Sequence, residues 1–203
     1  MIYEKIYFSK NENVSLQTYI LEPADSRIYG PQTDPRPAVI ILAGGGYAML
    51  SETEGEPAAL TFIREGFQTF VLNYTVGEDC IYPTPLVEVS KAVWEVRRRA
   101  DEWHIDPEAV ALMGFSAGAA IAGMSATQWN TPGLYRMAGA PDAESIRPDA
   151  VVIGYGAGNV DCMPVNENIP LGKIGRDRDK HLNLTDYVGR HVPPVFIWHG
   201  RDD

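Results

Sequence analysis

Cysteine, histidine and long apolar runs are scarce in this sequence. Its 203 residues include two cysteines, Cys80 and Cys162, and four histidines. The two cysteines have neither the spacing of a metal site nor the number needed for a disulfide framework. No apolar run approaches the roughly 20 residues that a membrane-spanning helix needs. The sequence therefore predicts neither a metal site nor a membrane span.

Positive charge is also in short supply. The 27 acidic residues exceed the 17 lysines and arginines and give a net charge of −10. This excess argues against nucleic acid and against an anionic membrane surface as partners. Residues 1–8 lack the basic segment and the long apolar core of a signal peptide, so we expect a reducing, cytoplasmic location. A homo-oligomer is compatible with this composition.

The chain has enough length and apolar content for one hydrophobic core. Hydrophobic residues make up 45% of the sequence and charged residues 22%, as is usual in globular proteins. It contains no internal repeat, low-complexity segment or linker. We therefore predict that residues 1–203 form a single domain.

Strand patterns alternate with helix patterns along the chain. Apolar and polar residues alternate over 2–8 and 14–21, which predicts an antiparallel hairpin, and prolines in 22–37 predict a loop. Apolar runs typical of strands buried on both faces are residues 38–42, 67–72, 110–113, 150–154 and 195–199. Because strands that alternate with helices form parallel sheets, we predict an α/β fold with a mostly parallel, doubly wound sheet.

Helices are predicted between these strands. Thr53 and Glu56 have the spacing of a capping box, at the start of a helix that ends near Glu65. A second helix is indicated by apolar residues on one face, namely Leu86, Val89, Val93, Val96 and Ala100. Residues 155–190 form a long, glycine-containing segment that we expect to cover the functional edge of the sheet.

Two glycine-containing turns follow buried strands. Ala43-Gly44-Gly45-Gly46 comes directly after 38–42, and glycines allow backbone N–H groups to point at a ligand. Gly114-Phe115-Ser116-Ala117-Gly118 has the form G-x-S-x-G, between an apolar run and an alanine-rich helical pattern. A strand, a sharp turn and a helix are the context in which such a serine is an exposed nucleophile. We expect both turns at the carboxyl edge of the sheet.

With these motifs the sequence resembles an α/β-hydrolase. More narrowly, it is similar to the serine esterases that include acetyl-xylan and feruloyl esterases and relatives of hormone-sensitive lipase. The matching stretches, which lie between Ala38 and the last residue, are Gly44-Gly45-Gly46-Tyr47, Asp106-Pro107, Gly114-Phe115-Ser116-Ala117-Gly118 and Pro193-Pro194-Val195-Phe196-Ile197-Trp198-His199-Gly200-Arg201-Asp202-Asp203. The resemblance implies hydrolysis of short-chain acyl esters, including acetyl groups on carbohydrates, through an acyl-enzyme. It implies a small-molecule substrate and no cofactor or metal.

The resemblance also implies roles for individual residues. Ser116 would be the nucleophile. The backbone N–H groups of Gly45, Gly46 and Ala117 would form the oxyanion hole. Ala43 stands where the family often has histidine, but backbone donors do not depend on that side chain.

The rest of the catalytic triad departs from the family pattern. The family's chain order is serine, acid, histidine, which implies Asp203 as the acid with Asp202 as the alternative. No histidine follows Asp203, so we expect a C-terminal strand–helix unit to be missing and the chain as given to be nearly inactive. The histidines present are His104, His181, His191 and His199, of which His181 is the alternative base.

Two other functions remain open from the sequence. A non-catalytic binding protein of this fold agrees with the absence of the triad histidine. A serine peptidase shares the fold, although such peptidases commonly carry an additional domain. Tyrosines near predicted strand ends suggest a surface for stacking on sugar rings: Tyr47, Tyr74, Tyr82 and Tyr155.

Overall fold

A computed structural model describes residues 1–8, 13–23, 35–162 and 170–201. These residues form a seven-stranded sheet with the order β1-β2-β4-β3-β5-β6-β7. Its strands are β1 (Lys5–Tyr7), β2 (Ser15–Tyr19), β3 (Arg36–Leu42), β4 (Gln68–Asn73), β5 (Ile105–Phe115), β6 (Ala150–Gly154) and β7 (Val195–Trp198). The α-helices in the described ranges are α1 (Glu56–Arg64), α2 (Thr84–Arg98), α3 (Ala100–Trp103), α4 (Ala117–Gln128), α5 (Leu134–Ala138) and α6 (Lys173–Arg176).

The sheet is parallel except at its N-terminal side. β1 pairs with β2, and β2 with β4, in antiparallel fashion, whereas β4, β3, β5, β6 and β7 are parallel neighbours. Leu42 is paired with Gly114, and Phe115 with Gly154. The carboxyl ends of β3, β5 and β6 therefore lie side by side. This topology confirms the predicted fold class and the antiparallel hairpin.

Helices cover both faces of the sheet, as predicted for a doubly wound fold. On one face α1 packs over a small core that includes Val39, Ile41 and Val71. On the other face α2 and α4 pack over a larger core. All residues of α4 are buried, and its alanines and glycines let the helix lie close to the strands. No helix of the described chain is long and apolar enough to cross a membrane.

The predicted capping box at the start of α1 is wrong. The N-cap residue is Gly55, with no side-chain capping hydrogen bond. Thr53 lies two residues upstream and its hydroxyl pairs with that of Ser51 at 3.0 Å. Glu56 is already the first helical residue, so it cannot reach back as a capping box requires. The predicted end near Glu65 is confirmed, since α1 ends at Arg64.

Where the structure describes it, the segment 155–190 packs partly along α4 and partly against Gly46 and Tyr47. It contains α6 and three short 3-10 helices (Val160–Cys162, Lys180–Leu182 and Leu184–Tyr187). The N–H of Leu184 donates to the carbonyl of Gly158 at 2.8 Å. A Cβ on Gly123 of α4 would lie 2.4 Å from the Leu184 side chain. Residues 163–169 of this segment, and 24–34 of the predicted loop, lie outside the described ranges.

Candidate active site

Ser116 occupies the sharp turn between β5 and α4 in a strained backbone conformation. Its φ of 50° and ψ of −117° are unusual for a residue with a side chain. Its N–H donates to the carbonyl of Gly154 at 2.9 Å. Its carbonyl accepts from the N–H groups of Ala119 and Ala120 at 3.1 and 3.2 Å. Strand β6 and helix α4 thus hold the half-buried Ser116 in place from both sides.

Gly114 and Gly118 allow this turn to form because neither position has room for a side chain. A Cβ on Gly114 would lie 2.3 Å from the carbonyl oxygen of Gly118. A Cβ on Gly118 would lie 2.2 Å from the carbonyl oxygen of Leu42, at the end of β3. The strand–turn–helix context predicted for the G-x-S-x-G sequence is therefore present, with α4 pressed against the end of β3.

The glycine loop, residues 44–47, is fastened by surrounding polar groups. The hydroxyl of Tyr74 donates to the carbonyl of Ala43 at 2.7 Å, directly before the loop. Burial raises the pKa of Tyr74 well above its ordinary value, so this hydroxyl stays protonated and remains a donor. The N–H of Gly172 donates to the carbonyl of Gly46 at 2.8 Å. The loop is therefore fixed by contacts from two distant parts of the chain.

Both turns meet at the carboxyl edge of the sheet, as the sequence predicts. A Cβ on Gly44 would lie 2.9 Å from the Cβ of Ser116. Gly45 and Gly46 have φ values of 130° and 62°, which turn the loop sharply beside the serine. Within the described ranges, the N–H groups of Gly45, Gly46 and Ala117 have no hydrogen-bond acceptor. Three unpaired donors beside a strained serine form an arrangement suited to an oxyanion.

Glu54, which no sequence motif singled out, lies directly behind the glycine loop. One of its carboxylate oxygens accepts from the N–H of Gly44 at 2.7 Å. The other accepts from the hydroxyl of Tyr155 at 2.7 Å. Sequence reasoning missed this side chain because its partners come from two other loops. The signal available was an acid in the stretch that follows the glycines.

Two of the histidines lie far from Ser116, at the opposite end of α4. The carbonyl of His181 accepts from the side chain of Gln128 at 2.8 Å. The His191 ring contacts the carbonyl of Thr127 at 2.9 Å. Since α4 has 12 residues and is about 18 Å long, this end lies well away from Ser116 at its start. The alternative that made His181 the base is therefore wrong in this structure.

The remaining triad candidates lie elsewhere along the strands. His104 precedes β5, so the length of that strand separates it from Ser116. His199 directly follows β7, at the edge of the sheet that carries Ser116. Asp203, the predicted acid, and Asp202, its alternative, lie outside the described residues.

The tyrosines proposed for sugar stacking are mostly engaged within the protein. Tyr47 and Tyr74 are 2% and 1% exposed, so they cannot stack on a ligand. The ring of Tyr82 stacks on that of His181 at 3.5 Å, away from Ser116. Tyr155 contacts Phe115 and Trp198 with its ring, and its hydroxyl binds Glu54. The prediction that Tyr47, Tyr74 and Tyr82 stack on sugar rings is therefore wrong.

Other reactive groups of the described chain do not form a competing site. Burial raises the pKa of the Cys80 thiol to about 12, so it stays protonated near neutral pH. Among the described residues, no group of three or more His, Cys, Asp or Glu side chains could hold a metal ion. The edge that carries Ser116 is therefore the candidate site.

Comparison with known proteins gives relatives with esterase and xylanase names. The chain is 36% identical over 183 residues to an acetylxylan esterase of Xylanibacter ruminicola, covering 85% of this chain and 35% of that protein. It is 31% identical over 179 residues to endo-1,4-beta-xylanase B of Butyrivibrio fibrisolvens, covering 83% of this chain and 27% of that protein. The chain thus spans about a third or less of these curated relatives.

The fold agrees with solved structures of α/β-hydrolases. A crystal structure of an acetyl ester-xyloside bifunctional hydrolase from Caldicellulosiruptor lactoaceticus matches with a TM-score of 0.71 and 26% identity. The match covers 100% of this chain and 75% of that chain. Residues 27–203 match the BD-FAE family. Because this match extends over most of the sequence, the chain belongs to the BD-FAE family.

Proposed function

We propose that this chain forms the core of a serine carboxylesterase that hydrolyses short acyl esters, including acetyl groups on carbohydrates. One observation carries the proposal: a strained, half-buried serine lies against a glycine loop in which the N–H groups of Gly45 and Gly46 have no acceptor among the described residues. The esterase names of the relatives point to the same chemistry. The site is the edge of the sheet where β3, β5 and β6 end.

In the proposed reaction, the Ser116 hydroxyl attacks the carbonyl carbon of the ester and gives its proton to a general base. The carbonyl oxygen becomes an oxyanion, which accepts hydrogen bonds from the N–H groups of Gly45, Gly46 and Ala117. The alcohol leaves with a proton, and an acyl group remains on Ser116. Water then attacks this acyl-enzyme, releases the carboxylic acid and restores the serine.

The position of Ser116 at the first turn of α4 supports this role. N–H groups in the first turn of a helix have no partner within the helix and carry partial positive charge. The Ala117 N–H is such a group, so it would stabilise the negative charge that develops on the substrate. The acid of the proposed triad is Asp203, with Asp202 as the alternative.

A Ser116→Ala substitution tests the nucleophile in the natural polypeptide that carries residues 1–203. We expect hydrolysis of an aryl acetate to fall by on the order of 10⁴- to 10⁶-fold, with the fold intact by circular dichroism. A fluorophosphonate should label the unsubstituted protein, and mass spectrometry should locate the adduct on Ser116. Turnover close to that of the unsubstituted protein would disprove the assignment.

Ser125→Ala is a matched control within the same helix. Ser125 is fully buried, and its hydroxyl has no hydrogen-bond partner among the described residues. This variant should keep both labelling and turnover. A protein that binds acetylated sugars but neither reacts with the probe nor turns over ester would instead be a binding protein.

The preference for short acyl groups needs a separate measurement. The glycine loop packs tightly against the main chain, since a Cβ on Gly46 would lie 2.3 Å from the carbonyl oxygen of Pro170. We expect a higher kcat/KM for acetyl than for octanoyl aryl esters, and turnover of acetylated xylo-oligosaccharides. Because each methylene contributes about 1–3 kcal/mol at most, the series should span several carbons. Higher values for the octanoyl ester would contradict this preference.

A further inference from the structure

The carboxylate of Glu54 joins three parts of the candidate site. It accepts hydrogen bonds from the first residue of the glycine loop, Gly44, and from Tyr155, which follows β6. The ring of Tyr155 lies 5.9 Å from that of Phe115, the residue before Ser116. The same side chain thus touches the glycine loop and, through one ring, the turn that holds the serine.

The Glu54 carboxylate holds the start of the glycine loop through the N–H of Gly44, and other hydrogen bonds hold the peptides that follow. The carbonyl of Gly44 accepts from the N–H of Ser51 at 2.9 Å, so both of its backbone polar groups are engaged. The carbonyls of Gly45 and Gly46 also have donors, whereas their N–H groups have no acceptor in the described ranges. Fixing Gly44 therefore helps to aim these N–H groups toward the serine.

The charge of Glu54 argues for a geometric role. A carboxylate near a developing oxyanion would repel it, so direct electrostatic stabilisation by this group is excluded. A Cβ on Gly44 would lie 2.8 Å from a Glu54 oxygen and 2.9 Å from the Ser116 Cβ, which shows how close the groups are. Both carboxylate oxygens accept hydrogen bonds and so hold the N–H of Gly44 and the hydroxyl of Tyr155.

The geometry points to Glu54 as the positioning residue of the oxyanion hole, with Tyr155 as the side chain that orients it. This inference rests on the proposed function. Glu54 does not contact the substrate: it holds Gly44, and thereby the donors Gly45 and Gly46, at the distance that the oxyanion requires. Loss of this support should impair stabilisation of the transition state more than binding of the substrate.

Kinetics of three variants in the natural polypeptide test this role. Glu54→Ala removes the acceptor, and we expect kcat for an aryl acetate to fall by about 10- to 100-fold with little change in KM. Glu54→Gln keeps an acceptor for Gly44 and a group that can pair with the Tyr155 hydroxyl, so kcat should stay within about threefold. Tyr155→Phe removes the outer hydrogen bond and should give a smaller loss than Glu54→Ala.

A transition-state analogue separates positioning from general destabilisation. A trifluoromethyl ketone adds to the serine and places an oxyanion in the hole, so its inhibition constant should rise in Glu54→Ala in parallel with the loss of kcat/KM. Glu52→Ala, two residues away and exposed, is the matched control and should leave both constants unchanged. If Glu54→Ala does not fold, Tyr155→Phe provides the same comparison.

The outcomes distinguish this inference from the proposed function. Loss of activity in Ser116→Ala together with unchanged kcat and inhibition constant in Glu54→Ala would overturn only the role of Glu54. Equal losses in Glu54→Gln and Glu54→Ala would also overturn it, because the charge and not the hydrogen bond would then matter. Full activity in Ser116→Ala would instead overturn the proposed function.

Discussion

Gly118 shows how one residue decides whether the serine turn can lie beside the glycine loop. Its Cα faces the end of β3, where a Cβ would lie 2.2 Å from the carbonyl oxygen of Leu42 and 2.6 Å from that of Ala43. Both atoms belong to the backbone, which cannot move without shifting the strand. Helix α4 therefore approaches β3 only because this position lacks a side chain.

We predict that Gly118→Ala lowers both stability and activity. Relief of the overlap requires α4 and β3 to separate, which should reduce the free energy of unfolding by about 1–3 kcal/mol. The same shift would move Ser116 away from the loop and lower kcat. Urea denaturation and ester turnover measure the two effects.

Gly158→Ala is the matched control for this prediction. The nearest atom to a Cβ at that position is in the Leu184 side chain, at 3.9 Å, an ordinary contact. Its unfolding free energy and kcat should remain close to those of the unsubstituted protein. Equal stability of the Gly118→Ala and Gly158→Ala variants would contradict the prediction, because it would show that α4 and the end of β3 separate at little cost in free energy.

At the scale of elements, helix α2 holds the connection that follows β4. Glu88 of α2 is 8% exposed, and its carboxylate accepts from both the N–H and the hydroxyl of Thr75, at 2.8 and 2.5 Å. Thr75 follows Tyr74, whose hydroxyl fastens the chain directly before the glycine loop. A buried carboxylate on a helix thus supports one side of the candidate site.

Burial gives Glu88 a pH-dependent effect on stability. Burial raises its pKa above the ordinary 4.5, although the hydrogen bonds from Thr75 oppose the shift. The folded protein therefore binds this proton more tightly than the unfolded chain does. The resulting contribution to stability is present in full below about pH 4.5 and is lost as the pH rises through the folded-state pKa.

We predict that Glu88→Gln removes this dependence. The unfolding free energy of the unsubstituted protein, minus that of the variant, should decrease as the pH rises from about 4 to 7. Chemical denaturation at several pH values gives this difference. Glu108→Gln, at an exposed position of β5, serves as the control and should show no such trend. A difference that grows with pH would contradict the prediction.

At the scale of the whole molecule, the sheet formed by the described residues has an apolar edge strand, β7. β7 pairs with β6, and all of its side chains are exposed, with Phe196 at 63% and Ile197 at 66%. An edge strand with apolar side chains and unpaired backbone groups is a template for association. The described surface of the 203-residue chain therefore contains an exposed apolar edge strand that favours association beside the candidate site.

We predict that a polypeptide of residues 1–203 expressed alone self-associates through β7. Light scattering after size-exclusion chromatography should show species larger than 22.4 kDa that increase with concentration. Replacing both Phe196 and Ile197 with Lys should reduce this association. Met137→Lys changes a residue of α5 that is 54% exposed, and it should have little effect. Equal association of both variants would place the contact elsewhere.

Local sequence was sufficient where the signal is local. The alternation of apolar runs with helical patterns predicted the parallel sheet, because burial on both faces requires continuous apolar strands. Small residues around Ser116 predicted the tight turn, since only they fit between a strand and a helix. The spacing of Thr53 and Glu56 fits a capping box, but that prediction is wrong. The N-cap residue is Gly55, and the helix begins at Glu56.

The sequence by itself determined the alternation of strands with helices, the serine turn and the glycine loop, because these follow from periodicity and side-chain size. Only the tertiary structure decided what supports the site. Glu54 meets a residue 101 positions away, and His181 lies at the far end of α4 from Ser116. Such contacts depend on how the sheet brings distant loops together, and no local pattern of residues encodes that distance.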